Sequence, residues 1–166
     1  MKSLDKKAAE YAAVKHQEQR YGEYPYTKHL KDVVDALKRF GFNTDEFKAA
    51  GWLHDTVEDT GTRIEDIRNE FGDKVADLVY RVTNEQGKNR AERHLKTYPK
   101  IKNSNDALAL KLADRIANVE QSLIESDSML EMYRKEYPAF KTALYTKGIH
   151  EKMWHHLDLM MEKQFE

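Results

Sequence analysis

At 166 residues the chain has room for one well-buried core and too little for two ordinary domains, so a single domain over 1–166 is expected. Its 28 Lys and Arg nearly balance 29 Asp and Glu, which argues against the broad basic surface used to bind nucleic acid or anionic membranes. Without a single Cys, disulfides, thiolate nucleophiles and thiolate metal sites are excluded, so any metal must rest on His, Asp and Glu. No apolar run approaches the roughly 18 residues of a membrane span, and a cytoplasmic protein without membrane attachment is the expectation.

Only three Pro and seven Gly interrupt the chain, and apolar residues recur mostly at spacings of three and four, which predicts an all-helical protein. The first helix is read over 6–18, followed by a loop holding Gly22 and Pro25 and a second helix from about Thr27 to a stop at Gly41. Asn43 or Thr44 then caps a third helix that carries Phe47, Ala50 and Leu53 towards His54, with Asp55 to Asp59 in its last turn before Thr60 and Gly61 break it. Thr62 with Glu65 has the spacing of a capping box for a short helix ending near Gly72, and 74–82 forms the next helix. The polar stretch between Thr83 and Lys102 holds Gly87 and Pro99 and is expected to be loop around a short helix at 90–98. From Asp106 the residues Leu108, Leu112, Ile116, Val119 and Leu123 form one apolar stripe, and two further helices over about 128–147 and 149–163 close the chain.

Two places could carry chemistry. His54-Asp55-Thr56-Val57-Glu58-Asp59 packs four ionisable groups into six positions, where neighbouring carboxylates repel unless a cation lies between them; an ordinary charged helix end is the alternative. In a continuous helix His54 would align with Glu58, and Asp55 with Asp59. On the long helix, Lys111, Asp114 and Asn118 share a face opposite the leucine stripe, with Ala107, Ala113 and Ala117 among the rest. Enclosed there, Asp114 needs either a metal or an ion-pair partner such as Arg115.

His29, His54-Asp55 and Asp114 have the order of the H…HD…D signature of HD-domain phosphohydrolases. The string His54 to Thr60 resembles the hydrolase domain of RelA/SpoT enzymes and stand-alone small alarmone hydrolases. Lys15-His16, Tyr24-Pro25-Tyr26, Phe71-Gly72, Val82-Thr83 and Lys111-Leu112-Ala113-Asp114-Arg115 with Asn118 agree in order, over about 6–145. The resemblance implies a compact HD-domain bundle of roughly eight to ten helices, with the C-terminal helix packed on it. It implies one Mn²⁺ on His29, His54, Asp55 and Asp114, with Glu58 and Asp59 orienting or deprotonating the attacking water. The reaction implied is release of pyrophosphate from a nucleoside 3′-pyrophosphate of the (p)ppGpp type. Lys15 and Asn118, with Thr83, Lys111 and Tyr137, are implied near the nucleotide.

The segment with Lys88, Arg90, Arg93, Lys96, Lys100 and Lys102 against the single acid Glu92 is expected to grip distal phosphates, through Arg93 and Lys96 above all. The sole partner implied is a small nucleotide. Relatives often carry Arg where this chain has Val14, so ppApp, nucleoside mono- or triphosphates and NADPH stay open as substrates beside ppGpp. The roughly twenty residues after Tyr145 leave no room for a synthetase domain, which implies a hydrolase-only form. His155-His156, Met160-Met161 and Trp52 are read as packing or helix surface, and no second metal site is expected.

Overall fold

The computed structural model describes residues 1–125 and 128–162. Among these residues the chain forms ten helices and one two-stranded hairpin: α1 (Leu4–Lys15), β1 (Arg20–Tyr21), β2 (Tyr24–Pro25), α2 (Thr27–Arg39), α3 (Asp45–Leu53), α4 (Thr56–Thr60), α5 (Ile64–Phe71), α6 (Asp73–Val82), α7 (Arg90–Lys102), α8 (Asn105–Glu125), α9 (Met129–Leu144) and α10 (Glu151–Glu162). The all-helical expectation holds, and residue 163, the expected end of the last helix, lies outside the described residues.

Several starts and stops follow local chemistry. Thr44 Oγ1 accepts from the Phe47 amide at 3.2 Å and Asn89 Oδ1 from the Glu92 amide at 2.9 Å, each satisfying a donor that helix geometry leaves free. After α2 the chain turns at Gly41, whose φ of 90° costs glycine little, and the Phe42 amide bonds back to the Leu37 carbonyl at 2.8 Å. The expected capping box at Thr62 and Glu65 lies one residue later: the Asp66 carboxylate accepts from the Arg63 amide at 2.9 Å.

Three expectations are corrected. Residues 20–25 are a hairpin, with Arg20 opposite Pro25 and Tyr21 opposite Tyr24; two residues per strand are too few for a period to show. The third helix does not run through Asp59. It ends at Leu53, and Asp55, at φ −103° and ψ 0°, begins the separate α4. Thr56 Oγ1 donates to the Leu53 carbonyl at 2.7 Å, a side-chain bond that competes with the backbone ladder at the break. Third, α7 runs through Pro99 to Lys102. The hydrogen bond that proline forfeits would have gone to Leu95, on the exposed side of the helix, while Thr97 and Ile101 on the other side are fully buried.

The long α8 is the centre of the bundle, packed by α2, α3, α6, α7, α9 and α10. Leu108, Leu112, Ile116 and Val119 of its stripe are buried, and Leu123 is partly so. Phe140 of α9 and Trp154 of α10 meet behind it with ring centroids 5.6 Å apart, so the last helix closes the core. On the opposite side α2 crosses α3 closely at Gly51, where a Cβ would lie 2.9 Å from Val34 Cγ2. That close crossing brings the first turn of α2 and the last turn of α3 together over the middle of α8.

Candidate metal centre and active site

His29 stands in the first turn of α2, His54 and Asp55 at the break between α3 and α4, and Asp114 in the middle of α8. One ligand atom from each lies within 4.8 Å of all the others. His29 Nε2 is 3.0 Å from Asp114 Oδ1, His54 Nε2 is 3.2 Å from the same oxygen, and His54 Nε2 is 3.0 Å from Asp55 Oδ2. Both imidazoles are buried. His54 Nδ1 donates to the Gly51 carbonyl at 2.7 Å, which fixes a proton there and turns Nε2 towards the cluster.

The carboxylates are held as well. Tyr26 on the hairpin's exit donates its hydroxyl to Asp55 Oδ2 at 2.6 Å. Asp114 receives the Asn118 amide at 3.2 Å and Lys111 Nζ at 3.3 Å, and Asn118 Oδ1 in turn accepts from the Tyr21 hydroxyl at 2.8 Å. The Tyr21 ring stacks on His29, centroids 4.9 Å apart. Of the two partners left open for Asp114, Arg115 is not one: its guanidinium lies 3.3 Å from Glu136 and over the Phe140 ring.

Burial pushes Asp55 and Asp114 towards protonation, but His54 beside the first and Lys111 beside the second outweigh it and hold both carboxyls below the usual carboxylate range. Burial likewise opposes charge on His54, and Asp55 and Asp114 override it, holding the imidazole well above its usual value. The cluster thus binds positive charge strongly. Two imidazoles and two carboxylates, without thiolate, fit a divalent ion that keeps coordination positions open for water and substrate oxygens.

A cavity of about 250 Å³ opens over this cluster, lined also by Tyr21, Tyr26, Glu58, Asn84, Arg90, His94, Lys111, Asn118 and Tyr133. Glu58, turned into it by α4, accepts from the Asn84 amide; burial pushes its carboxyl above the ordinary range. Asp59 is also raised, by burial and then by Asp55, and accepts from Gln19 Nε2 at 3.1 Å. Asp59 lies just outside the cavity, where a shallow depression joins it to Glu58 and Lys15. Burial and the nearby Lys111 and Arg90 hold His94 down at about 4, a neutral ring at pH 7.

Of the residues singled out for the nucleotide, Lys111 and Asn118 line the cavity and Lys15 the neighbouring depression. Four others are placed elsewhere. Thr83 Oγ1 donates back to the Val79 carbonyl at 2.7 Å, and the Tyr137 hydroxyl donates to Asp158 between α9 and α10. Lys96 Nζ donates to the Gln86 carbonyl at 3.0 Å, Arg93 packs its stem against Gly87, and neither lines the cavity. Arg90 of the same segment does line it, beside Glu136. Tyr21, Tyr26, Asn84 and His94 had no sequence signal beyond the Tyr24-Pro25-Tyr26 word.

Residues 8–135 match the family model of the HD domain. The MESH1 guanosine-3′,5′-bis(diphosphate) 3′-pyrophosphohydrolase of Drosophila melanogaster is 34% identical over 132 residues, covering 76% of this chain and 74% of that protein. The guanosine-3′,5′-bis(diphosphate) 3′-pyrophosphohydrolase of Aquifex aeolicus is 35% identical over 136 residues, 78% of this chain but only 19% of the longer protein. A solved structure, described as a metazoan ortholog of SpoT that hydrolyzes ppGpp, superimposes with a TM-score of 0.82 at 26% identity, over 96% of this chain and 94% of that one.

Proposed function

The chain belongs to the HD-domain family, in the branch that includes the MESH1 hydrolases, and from that premise we propose that it is a metal-dependent hydrolase releasing pyrophosphate from the 3′ position of ppGpp-type nucleotides. The observation that carries the reading is the convergence of His29, His54, Asp55 and Asp114 beside Glu58 in one cavity. We read the chain as one hydrolase domain acting in the cytoplasm; no described helix is long and apolar enough to cross a membrane.

In this reading the four clustered residues hold one divalent ion, and nitrogen and oxygen donors of this kind suit Mn²⁺. When bound, such an ion supplies Lewis acidity to the attacking water and to the phosphoryl oxygens. Glu58, raised by burial, takes the water's proton, with Asp59 orienting the water from the adjoining depression. The water oxygen joins the phosphorus attached to O3′, the bond from that phosphorus to O3′ breaks, and O3′ takes up a proton from solvent as it leaves as the hydroxyl, so intact pyrophosphate is released. Lys111 and Arg90 bring positive charge to the phosphates, Asn118 a polar edge and Lys15 a cation at the outer rim.

The base is a separate question. Val14 on α1, 64% exposed next to Lys15, offers an apolar surface without a guanidinium to stack on guanine, so an adenine nucleotide such as ppApp stands beside ppGpp as a candidate substrate. Metal-loaded protein incubated with ppGpp, ppApp, NADPH and nucleoside triphosphates tests both readings. Pyrophosphate from either alarmone is the expected product, and turnover of neither would overturn the proposal.

A further inference from the structure

Beyond the cluster and its cavity, two side chains form a path to the second carboxylate. His16, at the end of α1, is 2% exposed and aims Nδ1 at Gln19 Oε1 over 2.6 Å. The amide nitrogen of Gln19 then donates to Asp59 Oδ2 at 3.1 Å. An amide oxygen can only accept, so the proton of His16 must sit on Nδ1. A proton on Nε2 would be buried with no acceptor among the described residues. With its oxygen engaged by His16, Gln19 has only its NH₂ group to offer Asp59, and the amide cannot flip without losing both bonds. The imidazole is itself fixed against Tyr26, ring centroids 4.8 Å apart and 31° from parallel, and Tyr26 is the residue that holds Asp55.

We infer that His16 and Gln19 are positioning residues for hydrolysis: they lock the Asp59 carboxylate through Oδ2 and leave its other oxygen to orient the attacking water beside Glu58. The inference rests on the role given to Asp59 in the proposed function. Neither residue lines the main cavity over the His/Asp cluster; Gln19 lines the adjoining depression with Lys15, Glu58 and Asp59, but its amide is engaged on one side by His16 and on the other by Asp59, so both residues act through Asp59.

Four variants of the full-length, metal-loaded chain test this with ppGpp as substrate. Gln19→Met keeps the length of a half-buried side chain and removes the donor; His16→Phe keeps a ring against Tyr26 and removes the donor; His16→Asn restores an N–H close to the Nδ1 position; the fourth is the Gln19→Met, His16→Phe double variant. The single losses are expected to lower kcat by about tenfold to a hundredfold with KM within about twofold. The double variant should be no slower than Gln19→Met alone, because both break one path, and His16→Asn should recover most of the rate lost in His16→Phe. Losses that multiply, a change confined to KM, or no recovery in His16→Asn would overturn the inference. A second readout needs no turnover: long-range ¹H–¹⁵N spectra should show the Nδ1–H tautomer of His16 in the parent and its loss in Gln19→Met. An Nε2–H tautomer in the parent overturns the path even if the enzyme is active. An Nδ1–H tautomer in a parent that leaves ppGpp intact would instead overturn the proposed function.

Discussion

Two regions gather ionisable side chains in different ways, and they differ in how many of those side chains reach the cavity. His29 and Asp114 are 85 positions apart and meet at 3.0 Å, and the other two members come from a helix break between them. The basic segment packs six Lys and Arg into 15 positions, 88–102, and most of them leave the cavity. Lys100 lies 4.1 Å from the Tyr80 ring and pairs with Glu85, Lys102 bonds the Tyr145 carbonyl, and Lys96 bonds the Gln86 carbonyl. A helix turns about 100° per residue, so a run of like charges along it is spread around the axis, whereas distant residues on the facing sides of packed helices converge. Density in sequence is therefore a poor guide to a site, and placement on a facing turn a good one.

The converging region should fail hardest. Asp114→Ala removes the carboxylate whose one oxygen lies within 3.2 Å of both imidazoles, and bound metal, measured per chain by elemental analysis, should fall to near zero, with kcat/KM on ppGpp down by roughly a thousandfold or more. Full metal content in that variant would dissolve the contrast between the regions. Glu58→Gln should keep the metal and lower kcat by about a hundredfold to ten-thousandfold. Its pH behaviour has a definite sign: burial favours the protonated form of Glu58, so the rate should rise as pH passes upward through the raised pKa, and Glu58→Gln should lose that limb. The same shift means that ionising Glu58 costs the fold stability above its ordinary pKa. Glu58→Gln should then melt no lower than the parent at pH 7, the signature of a residue kept for chemistry.

How far the sequence could be read follows from the same geometry. The leucine stripe of α8, the Thr44 cap and the Gly41 stop are local, each a matter of a few neighbouring residues, and all three stand where expected. The four clustered residues were legible through their words and order, although periodicity alone left Asp114 undecided between a metal and Arg115. What settles Arg115 is Glu136, 21 positions later on another helix, a distance at which pattern carries no information. The break at His54-Asp55 turns on one Thr56 hydroxyl bond, and the hairpin on four residues. The tyrosines that hold Asp55 and Asn118 come from that hairpin, so the site's support was hidden with it.

Arg90 is the residue of the basic segment that belongs to the converging region. It lines the cavity and is steered there by Glu136, which also holds the fully buried Arg115. Arg90→Ala should raise KM for ppGpp about tenfold or more through loss of a charge-assisted contact, with metal content unchanged. Glu136→Gln, which leaves the guanidinium but loosens its anchor, should raise KM by a smaller factor in steady-state kinetics.

Arg93 and Lys96 make the sharpest test because the expected effect is the smallest. They lie three and six positions beyond Arg90, carry the same charge, and would count equally in any argument from composition. Lys96 is half exposed, with Glu92 at 3.1 Å and the Gln86 carbonyl at 3.0 Å, contacts that water and salt largely screen. Arg93→Ala with Lys96→Ala should leave KM and kcat within about twofold at moderate ionic strength, while Arg90→Ala under the same conditions does not. If the double variant instead matched Arg90→Ala and the loss faded with added salt, the segment would act as a diffuse field on the approaching nucleotide. Placement on the helix would then matter less than charge. If the loss persisted in salt, α7 would have to rotate or shift when substrate binds to bring Arg93 and Lys96 into the cavity.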